Sequence, residues 1–313
     1  MVYLLQSACY TGRMNILLLT GGDSNEREVA LRSGQAVSGA LDALGYQYTV
    51  ADPSDAGFDI AAAKDYDVVF LALHGRGYED GNIQQRLEDL GVPYTGSDPA
   101  ASALCFDKWK FKHYMRGRGI NVTGGQLVNI RRLDEKLFEM PYVLKPRAGG
   151  SSLETHIVRK PSVKNLQVSK QLLETHTEML LEGLVEGTEI TVGILGDEPL
   201  PVIEIIPPEG REFDYANKYN GLTQELCPPL HVSEKIQNEA KKLALNIHKL
   251  AGCRDMSRTD MIVDATGKLH VIETNTIPGL TAQSLLPKMA QAAGLSMPEF
   301  VDKLLGCALS RQP

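Results

Sequence analysis

The segment from Arg258 to Gly279, RTDMIVDATGKLHVIETNTIPG, admits few folds. Thr259 to Val263 and Leu269 to Thr274 are apolar runs, each interrupted by a carboxylate. Ala265, Thr266 and Gly267 supply a tight turn between them, so a β-hairpin is expected. In that hairpin Asp260 and Glu273 can sit opposite each other, and Asn275, two residues beyond Glu273, shares its face. Two carboxylates and an amide oxygen form a hard, oxygen-only site that suits Mg²⁺ bound together with a phosphate, rather than zinc. Arg258 adds a permanent cation that can neutralise a transferring phosphoryl group or a tetrahedral intermediate. An acidic hairpin face taken alone is most often simply solvated. The continuation TIPGLTAQSLLP points further, because a Gly turn there leads into a helix whose start carries Thr281 and Ser284 and would aim backbone amides at an anion.

Around this hairpin, 313 residues are too many for one simple core and suggest two or three domains. A net charge of −7 with dispersed basic residues argues against a nucleic-acid partner, and the one dense run, Lys108 to Lys112 (KWKFK), is expected on a helix. Cys9, Cys105, Cys227, Cys253 and Cys307 are odd in number, far apart and without a CxxC, so neither a disulfide framework nor a zinc site is indicated. A reducing, cytoplasmic setting follows. No apolar run is long enough to span a bilayer, so no membrane partner is expected. Residues 1–13 lack the pattern of a signal peptide and are expected to form an unstructured extension, with Met14 an alternative start.

Asn15 to Thr20 is expected as a buried strand, and GGDSNEREVALRSG as a Gly turn opening a helix, with Ser24 as N-cap and Val29, Ala36, Val37 and Leu41 facing inward. This is a mononucleotide-type βαβ start without GxGxxG, so a dinucleotide is not favoured. Glu26 at the helix mouth reads, on its own, as a capping acid. Val68 to Leu73 is a second buried strand, with His74 and Glu79 at its carboxyl end, where open α/β sheets bind ligands. From Gly91 the chain reads as a short strand, a turn and one long helix ending near Gly117 and Gly119, with a domain boundary near Gly96. Met140 to Pro146 is a strand delivering Lys145 to a Gly/Ser loop, RAGGSSLE, that can lay amides over phosphates or serve as a plain turn. Helices are expected over Val163 to Glu174, Ser233 to Leu250, Ser284 to Ala293 and Pro298 to Ala308. The strand Met179 to Glu182 leads to a hinge reaching Glu189, which could hold an adenine slot. Pro207 to Pro229, polar and rich in Pro and Gly, is a candidate lid that contains Lys218 and Tyr219.

Taken together, GGDSNEREVALRSG, ALHGRGYEDGNIQ, GVPYTGSDPAASALCFDK, VLKPRAGGSS, FDYANKY and RTDMIVD…VIETNTIPGLTAQSLLP resemble, in order, the motifs of the D-alanine–D-alanine ligases of the ATP-grasp superfamily. The resemblance implies an α/β chain, α+β in its ATP-binding part, with a three-domain ATP-grasp architecture. An open parallel-sheet domain (14–96) would precede a central domain (97–182) and a catalytic domain (183–313) with its lid at 207–229, and ATP would lie between two antiparallel sheets. It assigns Asp260, Glu273 and Asn275 to two Mg²⁺ (or Mn²⁺) ions and Lys108 and Lys145 to the ATP phosphates. Ser152 and Lys218 join the nucleotide-binding set, and Glu182, Val185 and Glu189 hold adenine and ribose. Glu26, in a triad with Ser151 and Tyr219, would take the ammonium of the first D-alanine, with His74 close to the substrate. Arg258 and the Gly279 amide would stabilise the tetrahedral intermediate, while Ser284 and the Leu285 amide bind the second carboxylate.

Further implications are a cytoplasmic homodimer acting in peptidoglycan precursor synthesis, and a peptide rather than ester product, since Tyr219 is present. The chain departs from the family pattern at Ile277 in place of Ser, at Gly183 in place of a common Lys, and at Glu154, preceded by Leu153. Glu154 stands where a Gly is usual, and so is expected either to take a positive φ or to reroute the loop. The alternatives are an ATP-grasp ligase joining other amino acids and a nucleotide-binding regulatory protein without turnover.

Overall fold

The computed structural model describes residues 14–132, 134, 138–150, 154–208 and 223–311. It begins with strand β1 (Asn15–Thr20), helix α1 (Arg27–Leu44), strand β2 (Gln47–Ala51) and strand β3 (Val68–Ala72). These strands form a parallel sheet in the order β2-β1-β3. All five residues of β3 are buried, the pattern of a strand covered on both faces. Helix α1 starts at Arg27 with Glu26 in the N-cap position. The expected Ser24 cap is therefore corrected: Ser24 lies two residues before the N-cap, where its hydroxyl donates to the His74 carbonyl (2.6 Å) and accepts the Glu26 N–H (3.1 Å).

Helix α2 (Asn82–Leu90) follows, and the long helix expected next is two helices, α3 (Pro99–Phe106) and α4 (Lys108–Arg116). Asp107 between them is extended (φ −87°, ψ 95°), and its carboxylate caps α4 by accepting the Lys110 N–H at 3.1 Å. Arg147 grips the same carboxylate through Nε (3.1 Å) and Nη2 (2.9 Å), and Asp107 pairs with Ala148 as an isolated bridge. The break is thus held by a loop 40 residues away in sequence, which no local helical pattern encodes.

The central antiparallel sheet comprises β4 (Gly125–Val128), β5 (Tyr142–Pro146), β6 (His156–Val158) and, after helix α5 (Val163–Thr175), β7 (Met179–Gly183), in the order β4-β7-β5-β6. A larger antiparallel sheet runs β11-β10-β8-β12-β13, with β9 paired to β8. Its strands are β8 (Thr188–Leu195), β9 (Glu198–Pro199), β10 (Ile203–Ile206), β11 (Gln224–Leu226) and, after helix α6 (Glu234–Ala251), β12 (Met256–Val263) and β13 (Leu269–Asn275).

Helices α7 (Leu285–Ala292) and α8 (Met297–Leu309) close the described chain. Packing crosses the linear order of the segments. Phe300, Val301, Leu304 and Leu305 of α8 share one apolar core with Leu17, Leu19 and Phe70 of the first sheet, and the Tyr46 hydroxyl donates to Asp302 at 2.6 Å. The last described helix therefore braces the first sheet, and Leu286 and Met289 of α7 just before it pack into the same core.

Candidate active site

The hairpin β12–β13 has the register that sequence alternation implies. Asp260 pairs with Glu273 and Arg258 with Asn275, so all four side chains leave one face of the sheet. The buried Thr259 and Thr274 point to the other face and share a hydrogen bond of 3.0 Å. The register slips by one residue between Asp260 and Met261, leaving Ile272 as a bulge. As a result Ile272 and Glu273, adjacent in sequence, both line the same cleft.

That cleft, of ≈ 1110 Å³, lies between the two antiparallel sheets. The central sheet contributes Val143, Lys145, Ile157 and Glu182, and the larger sheet faces them with Glu189, Ile205, Ile262 and Ile272. Val185 lies in the short connection between β7 and β8 and lines the same space. A second cavity of ≈ 690 Å³ is lined by His74, Arg258, Asn275, Gly279, Ser284 and Leu285, among others. Glu26, Lys108, Gly149, Gly150 and Glu273 line both, and so mark where the two cavities meet.

At this junction Lys108 Nζ donates to the Gly149 carbonyl and lies 3.3 Å from Glu273 Oε2. Glu26, read alone as a capping acid, makes no side-chain cap. Its carboxylate lies against Gly150, where a Cβ would stand only 2.5 Å from Oε1. Arg258 grips Asp260 through Nε and Nη2, both at 2.9 Å, and Thr191 donates to the same carboxylate at 2.6 Å. Asp260 consequently sits behind Arg258 and lines neither cavity.

His74 is buried between two segments. Its Nε2 meets Ser33 Oγ at 2.9 Å, and its Nδ1 lies 3.2 Å from the Ile277 carbonyl and 3.5 Å from Glu79. Ser33 in turn accepts the Leu280 N–H at 3.2 Å. His74 thus ties the first domain to the turn carrying Gly279, and because the contact uses a backbone carbonyl, Ile277 makes it without the family's serine. Burial raises the Glu79 carboxyl above the ordinary range. At Gly279 an added Cβ would fall 2.7 Å from Ser284 Oγ, so only glycine fits this approach. Ser284 occupies the N-cap position of α7 without capping it: its hydroxyl takes the Thr281 N–H (3.2 Å) and meets the Thr281 hydroxyl (2.8 Å).

Two residues carry features that sequence reading did not place. Lys112 is buried and lies 2.6 Å from Glu182 Oε1, while Lys145 lies 2.8 Å from Oε2. Burial opposes the charge on Glu182, but Lys145 and Lys112 outweigh it and hold the carboxyl below its usual range. Thr191, in register with Asp260 on β8, is the other. The spacing of Lys108 and Lys112, four residues apart on one helix face, was the available signal for the first. Ser151, Ser152, Lys218 and Tyr219 lie outside the described residues.

Glu154 adopts a left-handed backbone (φ 59°), and its carboxylate pairs with His176 at 3.0 Å on the wall of the larger cleft. A side chain in this conformation costs about 1 kcal/mol relative to glycine. Glu154→Gly is therefore expected to lower the KM for ATP or raise kcat, with amino-acid preference unchanged. Steady-state kinetics with each substrate varied in turn checks this, and an altered amino-acid preference would contradict it.

Comparison with known proteins matches this geometry. The family model for the D-ala D-ala ligase C-terminus covers residues 125–306, and that for the N-terminus covers residues 45–97. The D-alanine–D-alanine ligase of Nitrosospira multiformis is 40% identical over 298 residues, 94% of this chain and 96% of the relative. The chain belongs to the D-alanine–D-alanine ligase family. A ligase of that name from Oleidesulfovibrio alaskensis is also 40% identical, over 95% of this chain and 97% of its own. Among solved structures, the Bacillus anthracis D-alanine–D-alanine ligase complexed with ATP superposes with a TM-score of 0.81 at 31% identity, covering 96% of this chain and 98% of its own. The VanG D-Ala:D-Ser ligase of Enterococcus faecalis gives 0.78 at 28% identity, covering 95% and 100%. The parallel sheet, the two facing antiparallel sheets and the cleft between them are the ATP-grasp arrangement implied by the resemblance.

Glu273 and Asn275 offer oxygen donors on the hairpin face, while His270 further along it is engaged with Asp264. Among the described residues no group of three or more His, Cys, Asp and Glu side chains could hold an ion alone. Glu273 and Asn275 line the cavities with oxygen donors of the kind Mg²⁺ takes beside phosphate oxygens and water, whereas Asp260, expected to join them, is turned to Arg258 and Thr191. No helix among the described residues is long and apolar enough to cross a membrane.

Proposed function

We propose that this chain joins two D-alanine molecules into D-alanyl-D-alanine at the expense of ATP, through an acyl phosphate, as a cytoplasmic homodimer in peptidoglycan precursor synthesis. The observation that carries the reading is the meeting of the two cavities at Glu26, Lys108, Gly149, Gly150 and Glu273. A nucleotide between the sheets and amino acids in the second cavity would there bring a carboxylate against a terminal phosphate.

A carboxylate is a poor acyl donor, so its oxygen first attacks the γ-phosphorus of ATP, and ADP leaves. The amine of the second D-alanine then attacks the acyl carbon, the tetrahedral intermediate collapses with loss of phosphate, and the amine proton is released. Glu26 is suited to hold the ammonium of the first substrate, since its carboxylate lies at the junction. Lys145 and Lys108 are suited to offer positive charge to the phosphates, and Glu189 and Val185, which line the same cleft, would meet the nucleoside. Burial opposes the charge on Lys145, but Glu182 and Glu273 raise its pKa, so it stays cationic at neutral pH. The second carboxylate would meet Ser284 and the Leu285 amide at the start of α7. Arg258 and the Gly279 N–H line the same cavity and can take up charge on the oxyanion.

Glu273 and Asn275 would hold Mg²⁺ or Mn²⁺, which would spread the charge of the transferring phosphoryl group, and Asp260 would join them only on parting from Arg258. The acyl phosphate hydrolyses readily in water and must be shielded from it; of the segment expected as a lid, residues 209–222 lie outside the described residues and Gln224–Leu226 form β11.

Incubation with ATP, Mg²⁺ and D-alanine, with D-serine or D-lactate as competitor, tests the reading. One phosphate per D-alanyl-D-alanine is expected, with D-alanine preferred over both competitors near pH 7. Preference for another acceptor would favour the ligase alternative, and nucleotide binding with no turnover the regulatory one.

A further inference from the structure

Helix α4 presents its three lysines to different surroundings. Lys108 reaches the junction of the two cavities, and the side chain of Lys110 is 63% exposed. Lys112, one helical turn beyond Lys108, is 1% exposed and lines neither cavity. Its ammonium meets Glu182 Oε1 at 2.6 Å and Thr123 Oγ1, and Thr123 donates to the same carboxylate oxygen at 3.0 Å. The other oxygen of Glu182 holds Lys145 Nζ at 2.8 Å. One carboxylate therefore lies between two ammonium groups, and only Lys145 and Glu182 of the three face the cleft. A single Glu182–Lys145 pair would be neutral and would cancel much of the field offered to an anion. A second cation behind the carboxylate leaves the trio with a net positive charge.

We propose that Lys112 is a positioning residue for nucleotide binding: it neutralises Glu182 from behind the cleft, so that the charge of Lys145 remains directed at the phosphates. The inference rests on the nucleotide occupying this cleft. The groups facing Lys112 from the elements packed around it are Glu182 on β7, Lys145 on β5 and Glu273 on β13. Burial, then the charge of Lys145, draws the Lys112 ammonium down to about 8, against the opposing pull of Glu182 and Glu273. Below that pH Lys112 is charged and Glu182 is neutralised; above it the carboxylate falls to Lys145 alone, and phosphate binding weakens.

The test is equilibrium binding of ATP to the unaltered protein from pH 7 to 9.5, together with kinetics of Lys112→Met, Glu182→Gln and the double variant. The dissociation constant for ATP is expected to rise by about tenfold through a midpoint near 8. Lys112→Met should raise the KM for ATP by about tenfold at pH 7 and leave the KM for D-alanine within about twofold. Adding Glu182→Gln should restore the ATP KM to within about threefold of the Glu182→Gln single variant, because the charge that Lys112 offsets is gone. A structural role alone would not be rescued by deleting the opposite charge. ATP binding that is flat across this pH range, or a loss in Lys112→Met that the double variant does not recover, overturns the proposal while leaving nucleotide binding in the cleft intact. Failure of the unaltered protein to bind ATP at pH 7 would overturn both.

Discussion

Glu273→Gln is expected to lower kcat for dipeptide formation by about 10²-fold or more while leaving the melting temperature close to that of the unaltered protein. The substitution is isosteric and removes one negative charge from the point where the two cavities meet. Glu273 lines both cavities, faces Asp260 across the hairpin and lies 3.3 Å from Lys108. Its side chain is 26% exposed, so the lost ion pair is partly screened and costs little stability. The catalytic loss is larger because phosphoryl transfer depends mainly on positioning and charge, and the Gln amide is a far weaker ligand for a hard cation. Steady-state rates at saturating Mg²⁺ check this. Activity within a few-fold of the unaltered protein would remove Glu273 from the centre of the reaction.

Arg258→Gln should lower kcat by about 10²- to 10³-fold with a much smaller change in the KM for ATP. Arg258 borders the cavity assigned to the amino acids, one strand register from Glu273, and does not line the nucleotide cleft. On the proposed reading, a charge placed there would act on the oxyanion rather than on nucleotide affinity. Glutamine keeps a donor for Asp260, whose carboxylate also retains the Thr191 hydroxyl at 2.6 Å, so the buried acid is not left unsatisfied. Separate titrations of ATP and D-alanine distinguish the outcomes. A rise in the KM for ATP as large as the fall in kcat would show that Arg258 acts on the nucleotide instead.

Much of this site can be read from the chain because its residues are spaced by strand alternation. Asp260, Glu273 and Asn275 share a face through period-two geometry and a short turn, both local properties. Fully apolar runs such as Val68 to Ala72 likewise announced buried parallel strands. What escaped sequence reading depends on contacts between distant segments. The helix break at Asp107 is held by Arg147, and the burial of Lys112 follows from Glu182, which lies 70 positions further along the chain. Cys105 and Cys253, 148 positions apart in sequence, bring their sulfurs to 3.9 Å as thiols. The register slip that turns Ile272 into the cleft has no mark in the sequence. The Glu154 backbone was anticipated by a different route: a glycine expected at that point of the loop signalled a left-handed conformation, which Glu154 adopts.

The central claim is that a substrate carboxylate oxygen attacks ATP where the two cavities meet, and oxygen transfer tests it most directly. D-alanine labelled with ¹⁸O in its carboxylate is supplied with unlabelled ATP and Mg²⁺, and the released phosphate is analysed by mass. The oxygen that attacks the γ-phosphorus departs with phosphate when the amine displaces it, so one labelled oxygen per phosphate is expected for each peptide bond formed. Dipeptide accompanied by unlabelled phosphate, or label carried into AMP, would contradict an acyl phosphate formed at this site.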